Sequence, residues 1–425
     1  VGDFSEFPGH LFTEKWPRKQ FFLLTGNLFC DTGGYMDFVI RRSYKYRVYP
    51  ANAQISNPEN QFSMCRHLYN RSLAERTDAY KKDGTTVTYG QQQNSLPDLK
   101  KERPWYKGVY SQVLQDVLRR PDKAYQAFFR RAKAGGNPGF PKFRKRGQWN
   151  SITYPQYRKR PDSVITVPKI GKVRLVYHRE LPDDAKVKTL TITREAGRWF
   201  ACFPAELPFT AEPEQDLPDP LGIDLGLTDF FYASDGSHVP VPKYFRKKEK
   251  QLRRLQRRLA KAEKRSEKYR RPLKAVRKCH YRIKCRRSDF LHKTANDLLK
   301  KSGLIFYEAL RISDMIRSPK PKQDENGKYL PNNASAKAGL NKSIADAGWG
   351  RFLAILKYKS RRLGKKLLAV PPQYTSQKCS ACGEIVKKSL AVRTHRCACG
   401  FVANRDLSAA LNILRIGMDT LQAPT

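Results

Sequence analysis

Residues 221–241 read LGIDLGLTDFFYASDGSHVPV, and this stretch decides the fold of the C-terminal half of the chain. Apolar runs lie on either side of a turn at Ser234 to Ser237, which predicts two strands joined by that turn. Asp224 ends the first apolar run and is followed by Gly226, so we expect its side chain to project from near the end of a strand. Considered alone, Asp224 has an ordinary explanation as a turn residue.

Two further acids stand in comparable settings. Glu308 ends the apolar run GLIFYEAL at 303–310, where a buried strand would emerge at a sheet edge. Asp406 lies in ANRDLSAALNIL at 403–414 and would occupy the first turn of a helix. Taken singly, Glu308 could be an exposed strand end and Asp406 a helix cap. The apolar face of the predicted helix consists of Leu407, Ala410, Leu411 and Leu414.

Together the three acids indicate chemistry, because clustered carboxylates repel one another unless a divalent cation neutralises them. Oxygen ligands select hard ions such as Mg²⁺ or Mn²⁺. Two such ions about 4 Å apart can activate water and stabilise the leaving oxygen of a phosphodiester. We therefore predict that Asp224, Glu308 and Asp406 are catalytic metal ligands in a nuclease that hydrolyses a nucleic-acid backbone.

The net charge of the chain indicates the class of its substrate. Lys and Arg total 83 against 39 Asp and Glu, a formal net charge of +44. A merely solvated surface would mix both signs. An anionic membrane would also attract this charge, but no run approaches the roughly 18 apolar residues of a membrane-spanning helix. Nucleic acid is the predicted partner, and no membrane partner is expected.

Four of the nine cysteines predict a metal site. Cys379, Cys382, Cys397 and Cys399 follow a C-x2-C and C-x-C pattern, with Gly383 and Gly400 placed to allow tight turns. Four thiolates at this spacing are typical of a structural, tetrahedral Zn²⁺ site with no position open to substrate.

Two alternatives to this zinc site stay open. His395 could replace one of the thiolates as a ligand, because the second cysteine pair is one residue shorter than usual. A redox dithiol is the other explanation of paired cysteines. The remaining cysteines are scattered along the chain and no secretory signal is present, so we expect a reducing, cytoplasmic location, with nucleoid association when the protein is bound to DNA.

The N-terminal half alternates between strand-like and helical sequence patterns. Residues 1–35 have no clear period, and we interpret them as an upstream or non-native extension before a natural start at Met36. Strand-like residues at 36–58 and 136–215 bracket a helical block at 59–135, which predicts a small β-barrel interrupted by a helical domain. Pro121 should kink or break a helix of that block. The acidic, proline-rich stretch at 211–220 is interpreted as an interdomain linker.

A strongly basic segment follows the first acid. Between Phe245 and Arg287, 21 of 43 residues are Lys or Arg and three are acidic. Such a segment favours contact with a phosphate backbone over a solvated surface, on which charges of opposite sign would alternate. Leu252, Leu255 and Leu259 form its one apolar stripe, and Pro272 is expected to divide it into two helices.

Several strings together resemble those of the TnpB proteins of bacterial and archaeal insertion sequences, compact relatives of type V CRISPR effectors. The strings are GIDLG, FYEAL, PPQYTSQKCSACG, CACG and NRDLSAALNIL. The resemblance extends from about Met36 to the C-terminus. It implies an α/β multidomain protein with an RNase H-like (RuvC) nuclease domain at 216–371 and 404–425, and a zinc-binding module inserted at 372–403. It also implies that the barrel is a wedge domain and the helical block a recognition domain.

The resemblance further implies the activity of an RNA-guided DNA endonuclease. Its partners would be a guide RNA and a double-stranded DNA target with a short adjacent motif. Residue by residue, Asp224, Glu308 and Asp406 match the family's catalytic acids, and the four cysteines match its zinc ligands. One departure is the string NRDLSAA, where the family usually has D-R-D-x-N-A-A, so that Asn404 and Ser408 replace an acid and an amide. We take Asp406, the second acid of that pattern, as the ligand.

Two other functions remain as alternatives: a guide-dependent DNA-binding repressor that no longer cuts, and a transposase that joins DNA ends with three carboxylates. Arg393, Tyr374 and Gln377 stand near the predicted site, but packing or surface roles explain them equally well. The spacing of Trp349, Phe352, Leu356 and Tyr358 predicts a helix face packed in the core rather than a base-stacking surface.

Overall fold

A computed structural model describes residues 37–210, 219–264, 266–389 and 391–422. The predicted N-terminal extension at 1–35 therefore lies outside the described residues, as does most of the predicted linker at 211–220. Among the described residues, no helix is both long and apolar enough to cross a membrane.

The N-terminal part is built on an antiparallel sheet of seven strands. Its strands run in the order β2-β6-β7-β1-β4-β3, with the short β5 also paired to β7. In the described residues, β2 and β3 are the two edge strands and do not pair with each other. The Tyr154 hydroxyl nevertheless donates to the carbonyl of Pro168 at 3.3 Å. The strands are β1 (Asp37–Tyr49), β2 (Ser151–Tyr154), β3 (Val164–Val167), β4 (Gly171–Val176), β5 (Lys186–Val187), β6 (Leu190–Glu195) and β7 (Arg198–Thr210).

A helical block separates β1 from β2, but it begins at Asn52, so the prediction of strand-like structure up to residue 58 is wrong for its last residues. It contains α1 (Asn52–Asp83), α2 (Tyr89–Asn94), α3 (Leu96–Glu102), a 3₁₀ helix (Pro104–Gly108) and α4 (Ser111–Lys133). The predicted break at Pro121 is wrong, because α4 continues through this residue. Tertiary packing overrides the local cost: Pro121 is buried, and the adjacent Asp122 pairs with the buried Arg76 of α1 at 3.1 Å.

The C-terminal part contains a mixed sheet of five strands in the order β10-β9-β8-β11-β14. The central strand of the first three, β9, runs antiparallel to both β10 and β8, whereas β11 runs parallel to both β8 and β14. The predicted turn at Ser234 to Ser237 joins β9 and β10, with Gly236 at a φ of +81°. The strands are β8 (Leu221–Asp224), β9 (Asp229–Ala233), β10 (His238–Pro240), β11 (Leu304–Glu308) and β14 (Lys366–Val370).

Besides the sheet, the described residues of this part form two small hairpins and six helices. The hairpins are β12 (Lys322–Gln323) with β13 (Tyr329–Leu330), and β15 (Thr394–Arg396) with β16 (Val402–Asn404). The helices are α5 (Arg246–Ala260), α6 (Glu267–Lys301), α7 (Ile312–Met315), α8 (Ala334–Ala347), α9 (Trp349–Arg362) and α10 (Arg405–Gln422).

The basic segment forms two helices, but the predicted division at Pro272 is wrong. The break lies between Ala260 and Glu267, and Pro272 is inside α6. Ser266 determines the new start, since its hydroxyl accepts a hydrogen bond from the Tyr269 N–H at 3.2 Å. Pro272 lies in the second turn of α6, so its missing N–H removes one helix hydrogen bond near the N-terminus.

The five-stranded sheet is covered on both faces. On one face, Ile223 and Ile305 pack against α6 and α9 through residues such as Leu291 and Phe352. On the other face, Phe306 packs against Ile413 of α10. The core positions predicted on α9 are buried at Trp349, Phe352 and Leu356, but Tyr358 is 41% exposed and that part of the prediction is wrong.

Helix α10 approaches the sheet unusually closely through glycine. A Cβ atom added to Gly222 of β8 would lie 2.3 Å from the carbonyl oxygen of Ala410 and 2.7 Å from the backbone nitrogen of Leu414. A Cβ atom added to Gly417 would lie 2.1 Å from the ring of Phe306 on β11. Hydrogen is therefore the side chain that fits at both positions.

We expect Gly222→Ala to lower the free energy of unfolding by about 3 kcal/mol, because the obstacle is helix backbone that cannot rotate away. Gly339→Ala in α8 is the matched control, since nothing lies within 4 Å of its added Cβ atom. That change should be neutral or stabilise the protein by up to about 1 kcal/mol. Chemical denaturation of both variants measures the difference, and equal stabilities would contradict the close approach of α10.

Candidate functional site

Asp224 and Glu308 end two neighbouring parallel strands. Ile223 pairs in register with Tyr307, so that the next residue of each strand is the acid. Side chains alternate along a strand, and both Gly222 and Phe306 face α10. Asp224 and Glu308 therefore face the α10 side of the sheet as well, next to each other at one edge.

Asp406 reaches the same edge from α10. Gly222 lies against Ala410; two residues along β8 lead to Asp224, and four residues back along α10 lead to Asp406. Two residues of a strand and four residues of a helix each span about 6 Å, so Asp224 and Asp406 lie side by side. The Asp406 N–H donates to Asn404 Oδ1 at 2.8 Å. Asn404 thus caps the helix that carries Asp406.

The raised pKa values of Asp224 and Glu308 show that bringing the acids together costs electrostatic free energy. Burial, together with the negative charges of Glu308 and Asp406, raises the pKa of Asp224 to about 8. Arg405 and Arg393 act in the opposite direction. Burial also raises the pKa of Glu308, whereas a hydrogen bond from the Thr375 hydroxyl opposes that rise. A cation between these carboxylates would relieve their repulsion and favour ionisation.

Two arginines already accompany Asp406. Arg393 Nη1 lies 3.4 Å from Asp406 Oδ2, and its Nη2 donates to the Thr228 hydroxyl at 3.0 Å. Arg405 Nε donates to Asp406 Oδ1 at 3.2 Å. The three predicted acids are thus brought to one edge of the sheet, with Arg393 and Arg405 beside Asp406.

Residues beyond the three acids also build the site. Of the three that the sequence left open, Arg393 contacts Asp406, Tyr374 is 55% exposed, and Gln377 donates its backbone N–H to the Tyr374 carbonyl in a turn. Thr375 was missed, although it lies inside the string YTSQ, and its hydroxyl donates to Glu308 Oε1.

The segment around Thr375 is tied to α10. Buried Asn412, also missed, donates its side-chain N–H groups to the carbonyls of Thr375 at 2.9 Å and Lys378 at 2.8 Å. Asn412 lies off the predicted apolar face of Leu407, Ala410, Leu411 and Leu414, so helical periodicity did not indicate that it would be buried.

The four predicted cysteines form a group that could hold a metal ion. Their sulfur atoms all lie within 4.8 Å of one another. Cys379 Sγ is 3.7 Å from Cys399 Sγ, and Cys382 Sγ is 3.6 Å from Cys397 Sγ. These distances fit the ~3.8 Å edge of a tetrahedron with metal–sulfur bonds of ~2.3 Å. Gly383 and Gly400 have φ values of +81° and +86°, as the predicted tight turns require.

His395, the alternative ligand, is buried beside this cluster and outside the group of four. Its Nδ1 contacts the Lys388 Nζ atom. Burial opposes ionisation of Cys379, but the N–H groups of Cys382 and Ala381, together with His395, lower the pKa of this thiol to about 6. His395 thus favours the thiolate form from outside the cluster.

Three family models match the chain. One described as "Helix-turn-helix domain" (HTH_OrfB_IS605) matches residues 36–85, where the described chain forms β1 and the single helix α1. A model described as "Probable transposase" (OrfB_IS605) matches residues 204–318. The third, "Cas12f1-like, TNB domain", matches residues 349–413 and so includes the cysteine cluster.

Curated relatives extend the match to most of the chain. "Putative RNA-guided DNA endonuclease InsQ" of Escherichia coli is 33% identical over 382 residues, which are 88% of this chain and 92% of the relative. A "Putative RNA-guided DNA endonuclease" of Streptomyces pristinaespiralis is 30% identical over 89% of this chain and 90% of the relative.

A solved structure supports the fold. The protein in the "Cryo-EM structure of the Cas12f1-sgRNA-target DNA complex" matches with a TM-score of 0.50 and 13% identity, over 88% of this chain and 98% of the other. At that identity the likeness concerns the mixed α/β fold alone. The sequence relationships are closer, and by them this chain belongs to the TnpB family of IS605-type insertion-sequence proteins.

Proposed function

We propose that this protein is an RNA-guided DNA endonuclease associated with an insertion sequence, and that Asp224, Glu308 and Asp406 form its catalytic site. The observation that carries the proposal is the meeting of these acids at one sheet edge, where burial and the neighbouring acids raise the pKa of Asp224. The two relatives matched over nearly the whole chain are named for this activity. The net charge of +44 suits a protein that holds RNA and an RNA–DNA duplex.

The five-stranded sheet is proposed to be the core of an RNase H-like (RuvC) domain. Its order of three antiparallel strands followed by two parallel ones supports this assignment. So does the position of the acids at the ends of β8 and β11 and at the start of α10. In this division of the chain, residues 216–371 and 404–425 form the nuclease domain, 372–403 the zinc module, 36–58 and 136–215 the wedge, and 59–135 the recognition domain.

The donor set of the acidic site suits Mg²⁺ or Mn²⁺, because all three side chains offer carboxylate oxygens. Such ions, when bound, activate water and stabilise the leaving oxygen of the scissile phosphodiester. The chain's own residues orient the site. Thr375 holds one oxygen of Glu308, Asn404 caps the helix that carries Asp406, and Arg393 is placed to neutralise a phosphate that approaches Asp406.

The cysteine group is proposed to bind one structural Zn²⁺. All four ligands are sulfur, their spacing fits a tetrahedron, and such a closed site folds a module rather than catalysing a reaction. The β15–β16 hairpin connects this module to the acids, because Arg393 precedes β15 and Asn404 ends β16. The zinc would therefore act on cleavage indirectly, by holding these two residues in place.

A DNA transposase is the second candidate function, and the "Probable transposase" model over residues 204–318 favours it. The two functions differ in product and in their need for RNA. We expect the purified protein, with its copurified RNA and Mg²⁺, to hydrolyse a DNA that matches the RNA. Gel analysis should show simple cleavage that is lost after complete removal of the RNA. Cleavage that persists without RNA would refute the guided function, and strand-transfer products would favour the transposase.

Asp224→Asn should reduce cleavage more than about 100-fold, beyond the loss typical of removing an outer-sphere partner. DNA binding should remain, because the change removes a metal ligand and no phosphate contact. Asp235→Asn is the matched control: it lies in the β9–β10 turn, where its carboxylate accepts from Ser237 and pairs with Lys301. Cleavage rates and binding affinities of both variants test the assignment, and full cleavage by Asp224→Asn would overturn it.

Metal analysis of the purified protein should find about one zinc per chain. Cys379→Ser should lose that zinc and lower the thermal stability of the module, whereas Cys285→Ser, which alters an exposed thiol outside the cluster, should keep it. Full zinc content in the Cys379→Ser protein would contradict binding by four thiolates. Loss of zinc in His395→Ala with all cysteines intact would instead favour His395 as a ligand.

A further inference from the structure

A cavity of about 700 Å³ lies where the helices α5 and α6 meet the β6–β7 hairpin, away from the acids and the cysteine cluster. Its apolar lining includes Leu255 of α5 and Cys279 and Ile283 of α6, of which the latter two are buried. Two aromatic residues, Tyr244 and Tyr281, also line it. A cavity of this size, open to solvent and partly apolar, has room for a planar group.

Five cations line the same cavity and no acid does, among the residues that the structure describes. They are Arg198, Lys248, Lys278, Arg282 and Arg286. None of them forms an ion pair with a described acid, in contrast to Arg71 and Arg103, which border a second, smaller groove and both pair with Glu102. Uncompensated positive charge beside an apolar surface attracts a ligand that is anionic at one end and apolar at the other.

The ring of Tyr281 in the cavity wall already contacts a guanidinium group and lies near a second ring. The Arg198 guanidinium lies over the Tyr281 ring, 5.2 Å from its centroid, and the ring of Phe200 lies 6.5 Å from it. The wall is held in place by contacts between the two parts of the chain, since Lys284 of α6 pairs with Glu195 of β6 at 3.1 Å. A planar base could lie against this wall without a rearrangement of the backbone.

We propose that this cavity binds one unpaired nucleotide of a single-stranded stretch of nucleic acid, with its base on the apolar wall and its phosphates among the five cations. The inference rests on the proposed function only in taking nucleic acid as the partner. A base inside a duplex is excluded because it is already stacked and paired. RNA, single-stranded DNA and a free nucleotide share this chemistry, and binding measurements separate them.

The test uses the full chain, freed of RNA and without added metal. Labelled oligo(U) and oligo(dT) of about twelve nucleotides and a duplex of equal length serve as probes in fluorescence anisotropy. Tyr281→Leu keeps the wall apolar but removes the stacking ring, so we expect it to weaken single-strand binding about tenfold and leave duplex binding unchanged. The tighter of the two single-stranded probes identifies the bound strand as RNA or DNA.

Charge-matched pairs on α6 separate the cavity from the general basic surface. Lys278→Ala/Arg282→Ala removes two cavity cations, whereas Lys274→Ala/Arg277→Ala removes two exposed cations that do not line the cavity. The first pair should weaken single-strand binding at least about five times more than the second. Circular dichroism checks that each variant is folded.

Equal losses from the two pairs, or unchanged single-strand binding in Tyr281→Leu, would overturn the proposal. Uridine monophosphate that binds as tightly as oligo(U) would overturn it in favour of a free nucleotide. Because these measurements need neither target DNA nor metal, their failure is distinguishable from failure of guided cleavage. A protein that cleaves with its guide but fails these tests would keep the proposed function and lose this site.

Discussion

The contact between α10 and β8 across Gly222 is the constraint on which the arrangement of the site depends. With hydrogen as the side chain, the strand approaches the backbone of α10 at Ala410 and Leu414 directly. Gly417 allows the same approach to Phe306 on the neighbouring strand. Two glycines, one on the sheet and one on the helix, thus hold α10 at the distance that carries Asp406 to Asp224 and Glu308.

This placement costs electrostatic free energy, which the surrounding residues partly offset. Burial and like charges raise the pKa of Asp224, while Arg405 and Arg393 pair with Asp406 and Thr375 donates to Glu308. Arg393 is supplied by the segment between the two cysteine pairs. Its carbonyl also accepts the Arg405 N–H at 2.7 Å, so the cysteine module and the start of α10 form one unit. The geometry of the acids and the folding of the module are therefore physically linked.

A buried acid outside the site, Asp346, holds the two basic helices α5 and α6 in place. Asp346 is 6% exposed and accepts hydrogen bonds from the backbone N–H groups of Phe245 and Arg246 at the start of α5. It also pairs with Arg287 of α6 at 2.8 Å. One carboxylate thus stabilises the N-terminus of α5 and joins it to α6. Exposed cations of α6 that pair with no described acid, such as Lys278 and Arg282, remain available to an anionic ligand.

The sequence by itself determined the strands around Asp224 and Glu308, the helix after Asp406, the cysteine spacing and the charge, because these follow from local periodicity, spacing and composition. The family was also identifiable from its motif strings. Local rules were wrong at Pro121 and Pro272, since burial and the Ser266 cap outweigh the cost of proline in a helix. Only the tertiary structure decided that Thr375 and Arg393 reach the acids, that Asn404 acts as a cap, and that a cationic cavity forms between α6 and the β6–β7 hairpin. Each of these depends on contacts between residues far apart in the chain, and local pattern does not encode such distances.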